Sequence, residues 1–203
     1  MTDRRTVPHA VAALLAVVLL AGCGLMRRPE IHHYSLEVIA PAAPAAAAPG
    51  PPSAVAAPPV GLAAIVLPPG LDRQEVAVRR NDGRLDVRGT ELWAAPLETL
   101  VLHTLAFDLA GRLPEGAVVL PGQTQPTGGL RSLDVAFEEL AAGPEPVLVL
   151  DARWTLRTPG AADLARRERI AEPLASLDSA EIAAGTSRAL AELADRLAPE
   201  LGR

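Results

Sequence analysis

Four kinds of residue in this chain could do chemistry: one thiol, four histidines, scattered carboxylates and a set of arginines. The thiol is Cys23, the only cysteine, so the chain has no disulfide and no paired-thiol metal or redox site open to it. His32 and His33 are adjacent, and on a strand their side chains leave by opposite faces and cannot hold one metal ion together. His103 falls on the polar side of an amphipathic stretch, and no Gly-x-Ser-x-Gly elbow supplies a serine for it to activate. Asp108 and the pair Glu138-Glu139 lack the spacing of an acid/base pair and read as solvated charge. Gly128-Gly129 sits in a turn-rich stretch without the Lys-Ser/Thr of a phosphate loop. Arg166-Arg167-Glu168-Arg169 is dense enough to face an anionic head group and suits a solvated strand edge equally well. The expectation is a protein with no catalytic centre and no metal site.

The surroundings of Cys23 are more specific. Arg4 and Arg5 form a short positive segment, and Val11 to Leu20 form an apolar run too short to span a hydrocarbon core, which takes about 20 apolar residues. Leu20-Ala21-Gly22-Cys23 then matches the lipobox of bacterial lipoproteins, with small residues where the peptidase needs room and a thiol that takes a diacylglycerol. The sequence thus predicts a signal peptide over residues 1–22 and cleavage between Gly22 and Cys23. Cys23 is expected to carry a diacylglycerol and an N-acyl chain that hold the protein on a membrane outside the cytoplasm, with no other cofactor. Gly24, not Asp, follows the cysteine, and by enteric sorting rules this favours the outer membrane, periplasmic face, over inner-membrane retention.

Removing residues 1–22 takes away Asp3, Arg4 and Arg5 and turns a formal charge of −5 into −6. A net-negative chain with no basic run argues against nucleic acid and against electrostatic docking on anionic lipid. The mature length suits one domain.

These groups need elements to position them. Residues 23–30 are read as a lipid-anchor segment and 31–39 as a first strand, in which Tyr34, Leu36 and Val38 alternate with polar neighbours. Residues 40–59 hold ten Ala and seven Pro and make a linker or exposed loop. The domain then runs over 60–203 together with 31–39. Leu62 to Leu67 is a buried strand, and Glu75 to Arg88 is a hairpin turning at Asn81-Asp82-Gly83. Thr90 is expected to cap the segment leading to Pro96 at the first turn of a helix, with Leu97, Leu100, Val101, Leu105 and Leu109 on one face. Strands follow at Ala117–Leu120, around Leu133 to Phe137, over Val147–Leu156, and over Asp163–Ala171 across the turn Thr158-Pro159-Gly160. A closing helix spans Ser179 to Leu201. The expected class is α+β, a two-layer sandwich whose mixed, mostly antiparallel sheet carries two long amphipathic helices on one face.

Leu92-Trp93-Ala94-Ala95-Pro96-Leu97 is the most distinctive stretch of the mature chain. Aromatic residues are only 2% of the sequence, so Trp93 ahead of a helix start either plugs the core or presents a partner surface. Burial statistics favour the core.

A lipobox, Tyr34-Ser35-Leu36 soon after it, a strand and hairpin, Leu92 to Leu97 leading into a long helix, then antiparallel strands and a closing helix together resemble the PqiC-type family of ABC-type transport auxiliary lipoproteins. The likeness covers the mature chain apart from the Ala/Pro run. It implies a non-enzymatic subunit that accompanies an ABC permease and ATPase and an MCE-domain protein, moving lipids between inner and outer membranes. It also implies assembly of copies into rings. The chain departs from the family in having His33-Tyr34 where two tyrosines are common, and in a longer Ala/Pro insert. The competing reading is a structural envelope lipoprotein with no transport role.

Overall fold

The computed structural model describes residues 29–41, 57–126 and 129–203. The expected signal peptide, the lipobox with Gly22 and Cys23, and most of the Ala/Pro run lie outside the described residues. The elements are β1 (His32–Tyr34), β2 (Val60–Val66), β3 (Glu75–Arg79), β4 (Leu85–Trp93), α1 (Leu97–Arg112), β5 (Val118–Val119), β6 (Arg131–Ala142), β7 (Val147–Arg157), β8 (Leu164–Pro173) and α2 (Ser179–Leu201).

Turn chemistry shapes the hairpins. Gly83 adopts φ +80° and Gly160 φ +79°, conformations that side chains resist. The Asn81-Asp82-Gly83 turn is closed by Arg80 N donating to Arg84 O at 2.8 Å. Period-two burial then does the rest along β6, β7 and β8. Leu133 faces Leu156, Val135 faces Trp154 and Leu150 faces Ile170, all buried.

The strand order is β1-β4-β3-β6-β2-β5, with β7 on the other edge of β6 and β8 beyond it. The long β6 edge is shared: β2 runs parallel along Arg131 to Ala136, and β3 meets its far end at Val78–Ala142. The class is α+β, with one mixed eight-stranded sheet and two helices. The expected antiparallel majority is overturned, because β1–β4, β2–β5, β2–β6 and β3–β6 are parallel and only β3–β4, β6–β7 and β7–β8 are antiparallel. Hairpins announce themselves through their turns. Parallel neighbours such as β2 and β6 are joined through distant elements, and nothing local marks their direction.

Three boundaries differ from the sequence reading. β4 runs through Thr90 to Trp93, so Thr90 is a strand residue, not a cap, and β1 pairs with the residues that follow it, Glu91 to Trp93. Pro96 occupies the cap position itself, without a side-chain capping bond, and its carbonyl accepts Leu100 N at 3.1 Å. The first strand pairs only over His32–Tyr34; Leu36 is buried, but Val38 is exposed.

Leu97, Val101, Leu105 and Leu109 form the buried stripe of α1, and Ile182, Leu190, Leu193, Leu197 and Leu201 that of α2. Asp178 caps α2 by accepting Glu181 N at 2.8 Å. The helices pack on each other, α1 against β2 and β5, and α2 against β7, β8 and β1. Arg131, buried at the start of β6, closes the far end of α2 by donating to Leu201 O at 2.7 Å, and holds Pro58 O at 2.7 Å.

Candidate functional site

The helix-start motif splits into a core half and an exposed half. Trp93 pairs with Tyr34 across β1 and donates its backbone N–H to Gln74 O at 2.6 Å. Trp93 is 6% exposed and lines, with Leu97, Leu140, Leu148 and Ile182, a cavity of only about 20 Å³. Trp93 and Leu97 are thus core residues joining sheet to helix, as the burial argument favoured. Leu92 is half-buried and Pro96 exposed.

After Tyr34 the chain leaves the sheet, and side chains of both helices hold it. Glu37 N donates to Ser187 Oγ of α2 at 3.0 Å, and Ile39 N to Asp108 Oδ1 of α1 at 2.8 Å. Ile39 O accepts from Arg112 Nη1 at 3.0 Å. Ser35 to Pro41 is therefore a strap over the seam between α1 and α2, made without a ladder partner and satisfied by side chains instead.

Asp108 and Arg112, one turn apart on α1, form the clasp. Arg112 donates Nε and Nη2 to the two carboxylate oxygens of Asp195 on α2 at 2.6 and 3.2 Å, and Nη1 to Asp108 O at 3.0 Å. Asp108 is 1% exposed, and its Oδ2 has no hydrogen-bond partner. Burial pushes its carboxyl up to about 6, against the pull of the Ile39 amide and of Arg112, whose Nη1 lies 3.7 Å away. The reading of Asp108 as solvated charge is thus wrong. A carboxylate one helical turn before an arginine, on the stripe side of an amphipathic helix, was the signal for a buried pair.

Near β1, Tyr34 donates its hydroxyl to Glu91, which raises the phenol above its ordinary value. Arg88 donates to Ser179 Oγ at 2.8 Å and to Leu177 O, so β4 grips the start of α2. Tyr34, Arg88, Glu91 and Asp178 line an open cleft of about 550 Å³.

The arginine cluster is neutralised by neighbours rather than held free for an anion. Arg166 pairs with Glu200, Arg167 with Asp151 and Glu138, and Arg169 with Asp151 and Glu139, while Glu168 takes Arg196. Asp151 is buried beneath two of these arginines, and the Arg167 hydrogen bond, then that of Arg169, holds its carboxyl below the usual range. Glu138 and Glu139 belong to this lattice and are not isolated charge. His32, His33 and His103 are all exposed.

The family described as ABC-type transport auxiliary lipoprotein component matches residues 34–198. The chain belongs to that family. The matched span opens on Tyr34 and closes inside α2, so it takes in the strap, the clasp and the Trp93 junction. Two solved structures share the fold. One, described only as an uncharacterized protein, has a TM-score of 0.67 at 16% identity, covering 85% of this chain and 99% of its own. The other, a protein from Xanthomonas campestris, has a TM-score of 0.54 at 17% identity, covering 85% and 92%. No curated protein matches the chain.

Proposed function

We propose that this protein is a lipid-anchored periplasmic subunit of an MCE-type ABC transporter, which docks and tethers the transporter as it moves lipids between inner and outer membranes. Cys23 carries the diacylglycerol and N-acyl chain, and the outer membrane receives them. The observation that carries the reading is the family match from Tyr34 onward, beginning in a strand built into the sheet so soon after the lipobox. The nine residues from Cys23 to His32 reach at most about 30 Å even when fully extended, so an anchor there holds the domain close to its membrane.

Both ends of the Ala/Pro run are fixed to the domain, Ile39 by the clasp and Pro58 by Arg131. The run thus lies in the sequence between β1 and β2 of the domain and not between Cys23 and β1. The two helices form one layer over one face of the sheet. In β7, Leu148, Leu150, Trp154 and Leu156 are buried at alternate positions while Arg153 and Arg157, offset from them by an odd number of residues, stand exposed, which supports this layering. The charged opposite face is left for an MCE-domain protein or for further copies of the chain in a ring. The permease and ATPase are the remaining partners in this reading.

The test is a pull-down from native membranes of the wild type beside Cys23→Ala, with mass spectrometry of what co-purifies. An MCE-domain protein recovered with the wild type and lost with the variant supports the reading. Recovery of peptidoglycan-associated proteins alone would replace it with a structural envelope lipoprotein.

A further inference from the structure

We propose that the pocket between the β3–β4 hairpin and the start of α2 binds a phosphate–ammonium zwitterion, the headgroup of an aminophospholipid in the membrane that holds Cys23. The membrane as source rests on the lipid-anchor reading above; the chemistry rests on the pocket alone. The hairpin turn, the β6–β7 turn at Pro144 and the segment before α2 at Leu177 enclose an open pocket of about 370 Å³. That volume lies in the range of small-ligand sites.

The lining carries both signs of charge, and each sign is left partly unanswered. Arg88 donates to Ser179 Oγ and to Leu177 O, uncharged oxygens that position its guanidinium without neutralising it. Asp178 acts on it only through space, its own oxygens being taken by Ser176 Oγ and Glu181 N. Among the described residues Arg80 forms no ion pair, and Arg79 approaches Glu139 only to 4.0 Å. Asp82 is committed to its own turn, accepting Arg84 N at 3.1 Å and facing the Arg84 side chain at 3.9 Å. Asp86 is exposed and, among the described residues, pairs with no cation. An anion alone would meet Asp86 as a like charge, and a cation alone would meet the arginines. A ligand with both groups answers the whole lining: Arg80 and Arg88 hold phosphate oxygens, and Asp86 accepts from the ammonium. Asp86 and Arg88 leave β4 by the same face, about 7 Å apart along the strand, a span that an ethanolamine link covers once the side chains lean together.

The tether brings a membrane within reach of this pocket. β1 is parallel to β4 and pairs His32 with Glu91, so the chain enters the sheet at the end of β1 that faces back along β4 toward the hairpin. From Glu91 to Leu85 is about 20 Å of strand, and the nine residues from Cys23 to His32 extend to about 30 Å. The net negative charge of the chain opposes an anionic surface, whereas a zwitterionic one leaves the local fit to decide.

The first arm of the test is an NMR titration of the full mature chain, in maltoside micelles, with O-phosphoethanolamine. Saturable shifts of the hairpin amides are expected, with inorganic phosphate and ethanolamine each weaker by about 10-fold. Arg80→Gln and Asp86→Asn change exposed residues and should each weaken binding by about 10-fold while leaving the unfolding midpoint in place. No binding, or inorganic phosphate binding equally well, overturns the site. The second arm places the same chain in nanodiscs of phosphatidylcholine, alone or mixed with phosphatidylethanolamine or phosphatidylglycerol, and follows hydrogen exchange over residues 78–88. Exchange should slow by about 10-fold only with phosphatidylethanolamine, because phosphatidylcholine offers Asp86 no ammonium N–H and phosphatidylglycerol offers it no cation. Exchange unchanged by phosphatidylethanolamine, while O-phosphoethanolamine still binds, assigns the pocket to a soluble zwitterion and overturns the membrane source. An unacylated Cys23, read from the mass of its peptide, would sink the anchor and with it that source, while the first arm still decides the pocket.

Discussion

Arg112 and Asp195 meet through two parallel hydrogen bonds of 2.6 and 3.2 Å, and this is the link that ties α1 to α2 beneath the strap. The two ends differ sharply in environment: the Arg112 side chain is 4% exposed and that of Asp195 55%. Arg112→Ala should therefore cost about 3–5 kcal/mol, because it leaves the buried Asp108 without its cation and Ile39 O without its donor. Asp195→Ala loses a partner already screened by water and should cost about 1 kcal/mol. Urea denaturation of both variants gives the comparison; equal costs would show that Arg112 buried without Asp195 is as unfavourable as the loss of Arg112 itself.

Trp93 and Pro96 sit three residues apart in the same motif and should respond in opposite ways. Trp93→Ala empties a core site and should destabilise by about 3–5 kcal/mol. Pro96→Ala alters an exposed cap with no side-chain bond and should change stability by less than about 0.5 kcal/mol. Thermal or urea unfolding measures both. A Trp93→Ala variant of nearly wild-type stability would mean that the ring serves a partner rather than the core.

The same contrast shows what could be read in the sequence. The apolar stripes of α1 and α2 were legible because helical spacing is a local signal: Val101, Leu105 and Leu109 recur one turn apart, and α2 spans the predicted Ser179 to Leu201. Gly83 and Gly160 likewise marked their turns through their own backbone needs. The parallel pairing of β2 with β6 was not legible, since Val60 and Arg131 are brought together by everything folded between them. The clasp was hidden for the same reason. Asp108 and Asp195 look like ordinary helix-surface charge until the two helices pack and the strap covers one of them. Arg131 gave no signal either, because its partners at Leu201 and Pro58 are backbone carbonyls far away in the chain.

Asp151 is shifted in the direction opposite to Asp108. Arg167 donates to it at 2.7 and 2.8 Å and Arg169 at 2.7 Å, and these bonds hold its carboxyl below the usual range. A lowered folded value means stability that is present above the unfolded pKa, about 3.9, and is lost as pH falls through the folded one. Both arginines are more than half exposed, so the contribution is discounted for solvent screening. Asp151→Asn should cost about 1–2 kcal/mol at pH 7, and the gap from wild type should narrow as pH falls below about 4. Paired denaturation curves at pH 7 and pH 3 test this; a gap at pH 3 no smaller than that at pH 7 would assign the loss to packing instead of charge.

Gly185 marks the closest approach of α2 to the segment after β8. A Cβ placed there would clash with Leu174 Cδ2, and Leu174 is itself buried. The clash is with the end of a flexible side chain, so Gly185→Ala should be nearly neutral, the gain of about 1 kcal/mol in helix propensity being offset by moving Leu174. Gly185→Leu cannot be absorbed and should destabilise by about 1–3 kcal/mol. The deciding measurement is a double-mutant cycle. Leu174→Ala alone opens a cavity and costs stability, but in that background Gly185→Ala should recover about 1 kcal/mol, since the helix gain is no longer opposed. Additive effects of the two substitutions would show that glycine at 185 is not there to admit Leu174.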